Sequence, residues 1–423
     1  MQFDILIIGA GATGLMAMKE LAIDGYQVGL LEATGKTGGR IATLTAKGFD
    51  MPVEAGAEFI HGRARITLDL LKEAGIGYTQ TRGKMMMLQN GVWLGEEPQD
   101  EHPDMLAEKL EQLNKDCTIS EFLDTYFPAG EYDTLRRSVK QFAEGFELAD
   151  ITKASALIFK EEWKQIDEEQ YRINGGYGQL INYLFEQCRL HDGTILFNSP
   201  VTKIEHCSGY AIAHTADNQE YKAGKLIVTV STGVLQPGDI AFIPSIPSHE
   251  AAIQQLAFGQ VIKFLYQFKH PFWKERSKDV AFFLSDEAIP AWWTQLPEES
   301  CLLTGWLGGP DAGKAAPLSK NELHQTAIHS LCNIFHLDKN YLQNDLLHHE
   351  IISWQNEPYI KAGYSYNTLR SEELKQTLLT PVNDTIYFAG EAFYTGESQG
   401  TVEAALGSGK EVAERIIRKV LQK

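Results

Sequence analysis

The stretch FDILIIGAGATG, at residues 3–14, decides the fold of this chain. Its apolar run predicts a buried parallel strand, and residues 12–25 follow with the period of a helix. The segment YQVGLLEA, at residues 26–33, predicts a second strand. A βαβ unit at the start of the chain indicates a doubly wound α/β fold.

Three glycines between the first strand and the helix predict a dinucleotide site. Gly9, Gly11 and Gly14 form the motif GxGxxG. The first permits a tight turn, the second lets the backbone approach a pyrophosphate at the helix N-terminus, and the third allows close helix packing. Glu32 ends the second strand about 20 residues on, where an acid accepts hydrogen bonds from ribose hydroxyls, and Ala33 follows it. Both NAD and FAD fit this pattern.

Length and composition are typical of a globular protein with two domains. The chain has 423 residues, 43% of them hydrophobic and 22% charged, and one hydrophobic core does not keep growing to this length. Motifs recur in the first, middle and last parts of the chain. We predict one discontinuous domain from residues 1–83, 172–245 and 379–423, and a second from residues 84–171 and 246–378.

Charge and cysteine usage exclude some classes of partner. The formal net charge of −18 argues against nucleic acid or a membrane surface, since phosphates and anionic lipids would be repelled, although solubility alone also accounts for an acidic balance. No apolar run is long enough to span a bilayer. We predict no metal site. A reducing cytoplasm is favoured by five scattered cysteines without CxxC spacing: Cys117, Cys188, Cys207, Cys301 and Cys332.

Gly38, Gly39 and Arg40 follow Glu32 after five intervening residues, and here the sequence begins to resemble the flavin amine oxidase family. Further stretches resemble the same family in the same order: EAGAEFIHG (54–62), VTVSTGVL (228–235), VIKFLYQFKHPFW (261–273), WQNEPYIKAGYSY (354–366) and IYFAGEAFYTGESQGTVEAALGSG (386–409). The resemblance extends from about Asp4 to about Ile417. It implies a Rossmann-like FAD-binding domain of the glutathione-reductase type and a second, α+β substrate-binding domain.

The resemblance implies which residues contact FAD. In the family, the GGR arginine helps to hold the pyrophosphate. The implied contacts are Gly39, Arg40, Gly56, Ala57, Glu58, Val201, Trp354, Glu391, Thr401 and Val402. Glu391 follows a predicted strand at the carboxyl edge of a parallel sheet, where such folds bind ligands. Thr401 begins a predicted helix whose N-terminal dipole would favour reduction of the flavin, and a plain helix N-cap is the alternative role of this threonine.

Lys263 is the predicted catalytic residue. Strand alternation places it on one face with Val261 and Leu265, opposite Ile262 and Phe264. The resemblance implies that it holds a water against flavin N5 and assists reoxidation by O2. The alternative is an edge-strand lysine that extends to solvent.

The resemblance also implies contacts to the substrate. His61 lies where polyamine oxidases carry a histidine, Tyr364 aligns with a tyrosine beside the flavin, and Gln179 matches a glutamine of monoamine oxidases. Each of these side chains has an ordinary structural role as its alternative. Glu58 is a further candidate for pairing with an amine.

Two positions depart from the monoamine oxidase pattern. Gly363 stands where a cysteine would carry the flavin, so we expect non-covalent FAD. Thr401 stands where a second tyrosine would complete an aromatic cage, so a cage here must recruit Phe393, Tyr394 or Tyr366.

The sequence therefore predicts an FAD-dependent amine oxidase. Hydride would pass from the carbon next to an amine nitrogen to flavin N5, and O2 would reoxidise the cofactor, with a polyamine-like or other primary or secondary amine as substrate. One alternative is an L-amino-acid oxidase, for which Arg63 and Arg65 offer carboxylate partners. The others are a flavoenzyme that dehydrogenates a carbon–carbon bond and a non-catalytic FAD-bound scaffold.

Overall fold

The computed structural model describes residues 1–45, 47–94, 103–164, 169–396 and 398–421. Its α-helices are α1 (Ala12–Ile23), α2 (Arg65–Ala74), α3 (Pro103–Glu111), α4 (Ile119–Tyr126), α5 (Asp133–Lys140), α6 (Ala156–Lys164), α7 (Gly178–Leu190), α8 (Thr232–Leu235), α9 (Pro247–Ile253), α10 (Gly309–Ala315), α11 (Lys320–Phe335), α12 (Lys339–Asp345), α13 (Ser371–Leu379) and α14 (Val402–Leu421). A π-helical turn covers Gln141–Phe146, and 3₁₀ turns cover Phe272–Glu275, Trp354–Asn356 and Glu391–Phe393.

The β-strands follow the same chain order. They are β1 (Gln2–Ile8), β2 (Val28–Leu31), β3 (Thr43–Leu44), β4 (Val53–Glu54), β5 (Ile60–His61), β6 (Tyr78–Gln80), β7 (Lys84–Gln89), β8 (Val92–Trp93), β9 (Gln170–Ile173), β10 (Thr194–Leu196), β11 (Val201–Cys207), β12 (Tyr210–Thr215), β13 (Glu220–Val228), β14 (Ala241–Ile243), β15 (Ala257–Phe258), β16 (Val261–Phe268), β17 (Val280–Ser285), β18 (Ala291–Trp293), β19 (Leu302–Gly308), β20 (Leu346–Ser353), β21 (Ser365–Tyr366) and β22 (Ile386–Phe388).

The first sheet confirms the predicted βαβ unit and the doubly wound fold. Its order is β10-β2-β1-β13-β12-β11-β14, and β22 joins the end of β13. Strands β10, β2, β1, β13 and β22 run parallel. Alternate residues of β1 face two cores: Ile5 and Ile7 pack with α1, α7 and α14, while Leu6 and Ile8 pack with α9 and α13. A parallel sheet covered on both faces explains the continuous apolar run of β1.

The second sheet places Lys263 on an interior strand. Its order is β20-β16-β19-β18-β17-β7-β8, so β16 is hydrogen-bonded on both sides. Ile262 and Phe264 pack in a core with α10, α11 and α12, whereas Val261 and Leu265 pack toward the segment around β4. The predicted alternation is confirmed, and the edge-strand alternative for Lys263 is wrong.

Smaller elements connect the two sheets. Helices α3 to α6 form a separate core, and β9 pairs with both β5 and β6. The first sheet draws its strands from residues 2–31, 194–243 and 386–388, and the second from residues 84–93, 261–308 and 346–353. The predicted domain limits stay a prediction, and β9 crosses the one at residue 172. Within the residues described, every helix is too short or too polar to cross a membrane.

Candidate functional site

The glycine turn after β1 has the geometry that a dinucleotide site needs. Gly9 has a φ of +105°, which a residue with a side chain rarely adopts. A Cβ atom on Gly14 would overlap the Gly9 carbonyl oxygen, so helix and turn pack at a distance that only glycine permits. A Cβ atom on Gly11 would meet no heavy atom of the described chain within 4 Å. Gly11 therefore borders open space.

The N-terminus of α1 fits an anion. In the described part of the chain, no side chain caps this helix. By contrast, Thr118 and Ser319 cap α4 and α11 with capping boxes, and the Glu403 carboxylate accepts the N–H groups at the start of α2. The N–H groups of the first turn of α1 are therefore free to bind a pyrophosphate above Gly11.

Glu32 lies beside this turn at the carboxyl end of β2. Its Oε2 accepts from Ala10 N–H at 2.8 Å, and its Oε1 accepts from Thr34 N–H at 2.9 Å. Its carbonyl accepts from Ser199 N–H at 2.8 Å, Ala33 is partly buried, and Val201 packs in the same core as Leu31. Because each carboxylate oxygen has more than one lone pair, Glu32 retains acceptor capacity for ribose hydroxyls.

Arg40 joins the first and last parts of the chain. Gly38 N–H donates to Ala10 O at 2.8 Å, which brings this segment against the glycine turn. The Arg40 Nη1 then donates to Glu391 Oε1 at 2.9 Å and to the Gly363 carbonyl at 2.6 Å. Glu391 is buried, with 6% of its surface exposed. The predicted cofactor residues Arg40 and Glu391 therefore lie in direct contact.

The segment 55–58 gathers several other predicted residues. The Ala55 carbonyl accepts from Trp354 Nε1 at 3.0 Å, and the Gly56 carbonyl accepts from Lys263 Nζ at 3.1 Å. Ala57 N–H donates to the Arg40 carbonyl at 3.1 Å. A Cβ atom on Gly56 would overlap that carbonyl, so glycine is required there.

Lys263 is the most buried charged group of the site, with 1% of its surface exposed. Its ammonium donates to Glu58 Oε2 at 2.7 Å. Glu58 Oε1 accepts from Arg172 Nε at 3.0 Å and from Trp293 Nε1 at 2.9 Å. Burial raises the pKa of Glu58, but Lys263, Arg172 and the hydrogen bond from Trp293 outweigh it and leave the pKa below its usual value. Glu58 is therefore an anion at neutral pH.

Aromatic rings lie beside this ion cluster. Phe59 packs on Trp293 with ring centres 5.7 Å apart, and His61 meets Phe146 edge-on at 5.5 Å. The Tyr364 hydroxyl donates to the Phe146 carbonyl. Phe146 ends the π-helical turn and is 44% exposed despite its apolar ring. Aromatic faces of this kind attract cations.

Burial controls protonation around the same residues. It lowers the pKa of His61 to about 4 and raises the pKa of Tyr364 well above its usual value, so both are neutral at physiological pH. Glu54 is buried, and its Oε1 accepts from Tyr177 N–H at 2.6 Å. Burial raises the pKa of Glu54 to about 7. Burial also raises the pKa of Glu147, which follows Phe146 in the chain.

The closing helix begins next to Tyr364. A Cβ atom on Gly400 would lie 3.1 Å from the Tyr364 ring. Thr401 accepts from Ala404 N–H at 3.2 Å, so it is an N-cap of α14 as the alternative role predicts. Val402 packs in the core beside α1. Thr401 can serve as a cap and still present its helix N-terminus to a ligand.

Two predicted substrate residues lie elsewhere. Phe393 is 1% exposed and packs with Phe388 beneath the first sheet, so a substrate could reach it only by displacing the core. Its predicted role in a cage is therefore disfavoured. Gln179 is exposed, and its side-chain amide donates to the Asn174 carbonyl across the turn before α7. The structure does not place it with the residues around Lys263.

Sequence reasoning missed several residues of this site. Arg172 and Trp293 bind Glu58 from β9 and β18, and neither carries a recognisable motif. A charged residue just before the Gly175–Gly176 turn was the only available signal for Arg172. Phe146 was missed because its role depends on the π-helical turn.

Comparison with known proteins identifies the family of this chain. A model of the family described as flavin containing amine oxidoreductase matches residues 12–417. Lysine-specific histone demethylase 1B of Mus musculus is 25% identical over 448 residues, covering 97% of this chain and 52% of that protein. Polyamine oxidase 2 of Arabidopsis thaliana is 25% identical over 467 residues, covering 99% of this chain and 89% of that protein. The chain thus spans about half the length of the histone demethylases that it matches.

Solved structures share the fold. Wild-type putrescine oxidase bound to putrescine superposes with a TM-score of 0.82 over 99% of both chains, at 19% sequence identity. At this identity the likeness concerns the fold.

Proposed function

Because the chain belongs to the flavin containing amine oxidoreductase family, we propose that it is an amine oxidase that binds FAD non-covalently. One observation carries the proposal: Arg40 and Lys263 both contact the segment 55–58, at the edge of the sheet where the glycine turn opens. The Arg40 backbone carbonyl and the Lys263 ammonium thus bind one stretch of backbone, which holds near each other the two residues whose cations suit the pyrophosphate and the redox ring.

The chain offers a partner for each part of FAD. The free N–H groups of α1 and the Arg40 guanidinium suit the pyrophosphate, and Glu32 suits the ribose hydroxyls. The N-terminus of α14 suits the pyrimidine edge of the flavin ring, and Lys263 suits the side of N5. Gly363 has no side chain to form a covalent bond, which supports non-covalent binding.

Bound FAD would supply the acceptor for a hydride from the carbon next to the amine nitrogen and would pass the electrons to O2, yielding H2O2. Phe59, Phe146 and Tyr364 would attract the amine as a cation. Their apolar surroundings favour its neutral form, which reacts because its lone pair is free. His61 is neutral at physiological pH and so would not repel the amine.

A small primary or secondary amine is the substrate class that we propose, with polyamine-like compounds first. The names of polyamine oxidase 2 and putrescine oxidase support it, as do the uncharged aromatic walls. An amino-acid oxidase would need a free arginine for the substrate carboxylate. Arg63 and Arg65 are exposed, and Arg172 is bound to Glu58, so the structure favours the amine. The five free cysteines support a cytoplasmic location.

A substrate panel tests the proposal. Purified holoprotein is mixed with amines, L-amino acids and an apolar polyene, and H2O2 release and anaerobic bleaching of the flavin are followed. We expect bleaching by amines alone and H2O2 when O2 is admitted. Bleaching by amino acids or polyenes instead, or by no compound, contradicts the proposal.

A further inference from the structure

Arg172 and Trp293 hold the Glu58 carboxylate on the side opposite Lys263: both donate to Oε1, whereas Lys263 donates to Oε2. Arg172 Nη1 and Nη2 donate to the carbonyls of Leu296 and Thr294 at 2.9 and 3.0 Å. Its guanidinium also lies 4.5 Å from the centre of the Phe59 ring. Because Arg172 is anchored at both ends of its planar group, its Nε fixes the Glu58 carboxylate in one position.

The Lys263 ammonium has one N–H donor beyond those bound to Glu58 and Gly56. An ammonium has three N–H donors. Counting contacts to the described residues, two of them are used, by Glu58 Oε2 and the Gly56 carbonyl. Since these two bonds fix the ammonium, the direction of the third N–H is fixed as well.

The same contacts give Lys263 a counter-ion. A buried ammonium is costly unless an anion pairs with it. Glu58 supplies that anion at 2.7 Å. Among the residues that the structure describes, Arg172 and Glu54 also face the pair, and Glu54 ionises at a pKa of about 7 because burial raises it. Glu58 is thus the direct counter-ion, and Arg172 balances it from the other side.

We propose that Glu58 is a positioning residue for flavin reoxidation: it is the counter-ion of the Lys263 ammonium and, with the Gly56 carbonyl, fixes the direction of its remaining N–H. The inference rests on the proposed function and extends it to a residue for which the sequence predicted only a ligand contact. Bound FAD, once reduced to its anion, would give two electrons and one proton to O2, and with a second proton from solvent this would yield oxidised FAD and H2O2. A fixed positive charge favours the first electron transfer because negative charge develops on oxygen.

The test measures reoxidation without an amine. Holoenzyme is reduced anaerobically with dithionite and mixed with oxygenated buffer, and the return of flavin absorbance gives the rate. In Glu58→Gln we expect the rate at neutral pH to fall roughly tenfold or more. We also expect the pH dependence of this rate to differ from that of wild type, because the anion beside the Lys263 ammonium is gone. Glu58→Asp, which keeps the charge, should restore most of the rate and the wild-type pH profile.

Matched variants separate positioning from other effects. If Glu58 acts through Lys263, the double variant Glu58→Gln/Lys263→Met reoxidises no more slowly than Lys263→Met alone. The pH series is repeated in Glu54→Gln, which removes the neighbouring group that titrates near neutral pH. A wild-type rate and pH profile in Glu58→Gln overturns the inference. So does a double variant whose rate falls by the product of the decreases in the two single variants.

If a Glu58 variant fails to retain FAD, two further measurements still test the inference. Trp293→Phe removes one hydrogen bond to Glu58 but no charge, and should slow reoxidation in the same direction by a smaller factor. In urea unfolding of the apoprotein, the effects of the Glu58 and Lys263 substitutions should not add. The unfolding constant of the double variant should differ by about tenfold from the product of the two single effects. An unchanged rate in Trp293→Phe, or additive substitutions, counts against the inference. Because dithionite and not an amine reduces the flavin, these results test the role of Glu58 even if no amine in the substrate panel is oxidised.

Discussion

Gly11 and Gly14 belong to one motif but differ in the space around them. A Cβ atom at position 11 enters open space, whereas at position 14 it overlaps the Gly9 carbonyl. We predict that Gly11→Ala folds normally yet binds FAD at least about tenfold more weakly, because the methyl group occupies the place of the pyrophosphate. Flavin fluorescence titration and thermal unfolding measure the two effects.

Gly14→Ala is the matched control for this residue. Its methyl group has to push helix α1 away from the turn, which costs roughly 1–3 kcal/mol of stability. The control should therefore lower the unfolding midpoint, as Gly11→Ala should not. Normal FAD affinity in Gly11→Ala would show that the ligand does not approach this turn.

Lys263 offers a second prediction at the scale of one residue. Lys263→Met keeps much of the side-chain volume but removes the charge, and it leaves Glu58 with Arg172 as its remaining ionic partner. We expect flavin reoxidation to slow by roughly a hundredfold while the dissociation constant of FAD changes far less. Stopped-flow reoxidation and flavin titration on the same preparation compare the two, and an unchanged oxidative half-reaction removes Lys263 from the mechanism.

At the scale of elements, the buried Glu54 makes the packing of β4 against the start of α7 sensitive to pH. Its pKa is about 7 in the folded protein, where burial raises it from the ordinary value of 4.5. The folded state therefore binds a proton that the unfolded chain has lost, so this contribution to stability is complete below pH 4.5 and is lost as the pH rises through about 7.

Glu54→Gln removes this titration while keeping an oxygen that can accept from Tyr177 N–H. Relative to wild type, we expect the variant to gain stability between about pH 5 and pH 8, by at most roughly 3 kcal/mol. Urea unfolding of both proteins across this range gives the difference. A difference that is constant with pH would mean that Glu54 does not titrate in the folded state.

The sequence predicts elements well where a short stretch determines them. Strand β1, helix α1 and the alternation in β16 follow from local patterns of apolar residues, and the structure confirms all three. Phe393 shows the limit. It lies two residues from Glu391 within a 3₁₀ turn, where successive side chains point about 120° apart, so the two residues face different surroundings. The order of residues in a linear motif does not show in which directions their side chains point.

At the scale of the whole molecule, the site depends on contacts between distant segments. Arg172 reaches Glu58 across 114 positions of sequence, and Arg40 reaches Glu391 across 351. Such pairs follow from sheet topology rather than from spacing, which explains why Arg40 and Glu391 were predicted through family resemblance and why Arg172, outside any motif, was not.

The same long-range construction predicts that FAD stabilises the entire fold. A ligand that contacts β1, the segment 55–58 and the start of α14 binds the folded state alone, because the unfolded chain does not bring these parts together. At an FAD concentration of 100 times its dissociation constant, the stabilisation should be about 2.7 kcal/mol. The unfolding midpoint of the apoprotein should therefore rise with added FAD. ADP, which carries the pyrophosphate and adenosine alone, should raise it less, because it reaches the α1 turn and Arg40 but not Lys263. Equal shifts with ADP and FAD would mean that the flavin ring gains nothing from the second sheet, and no shift with either would remove the glycine turn from cofactor binding.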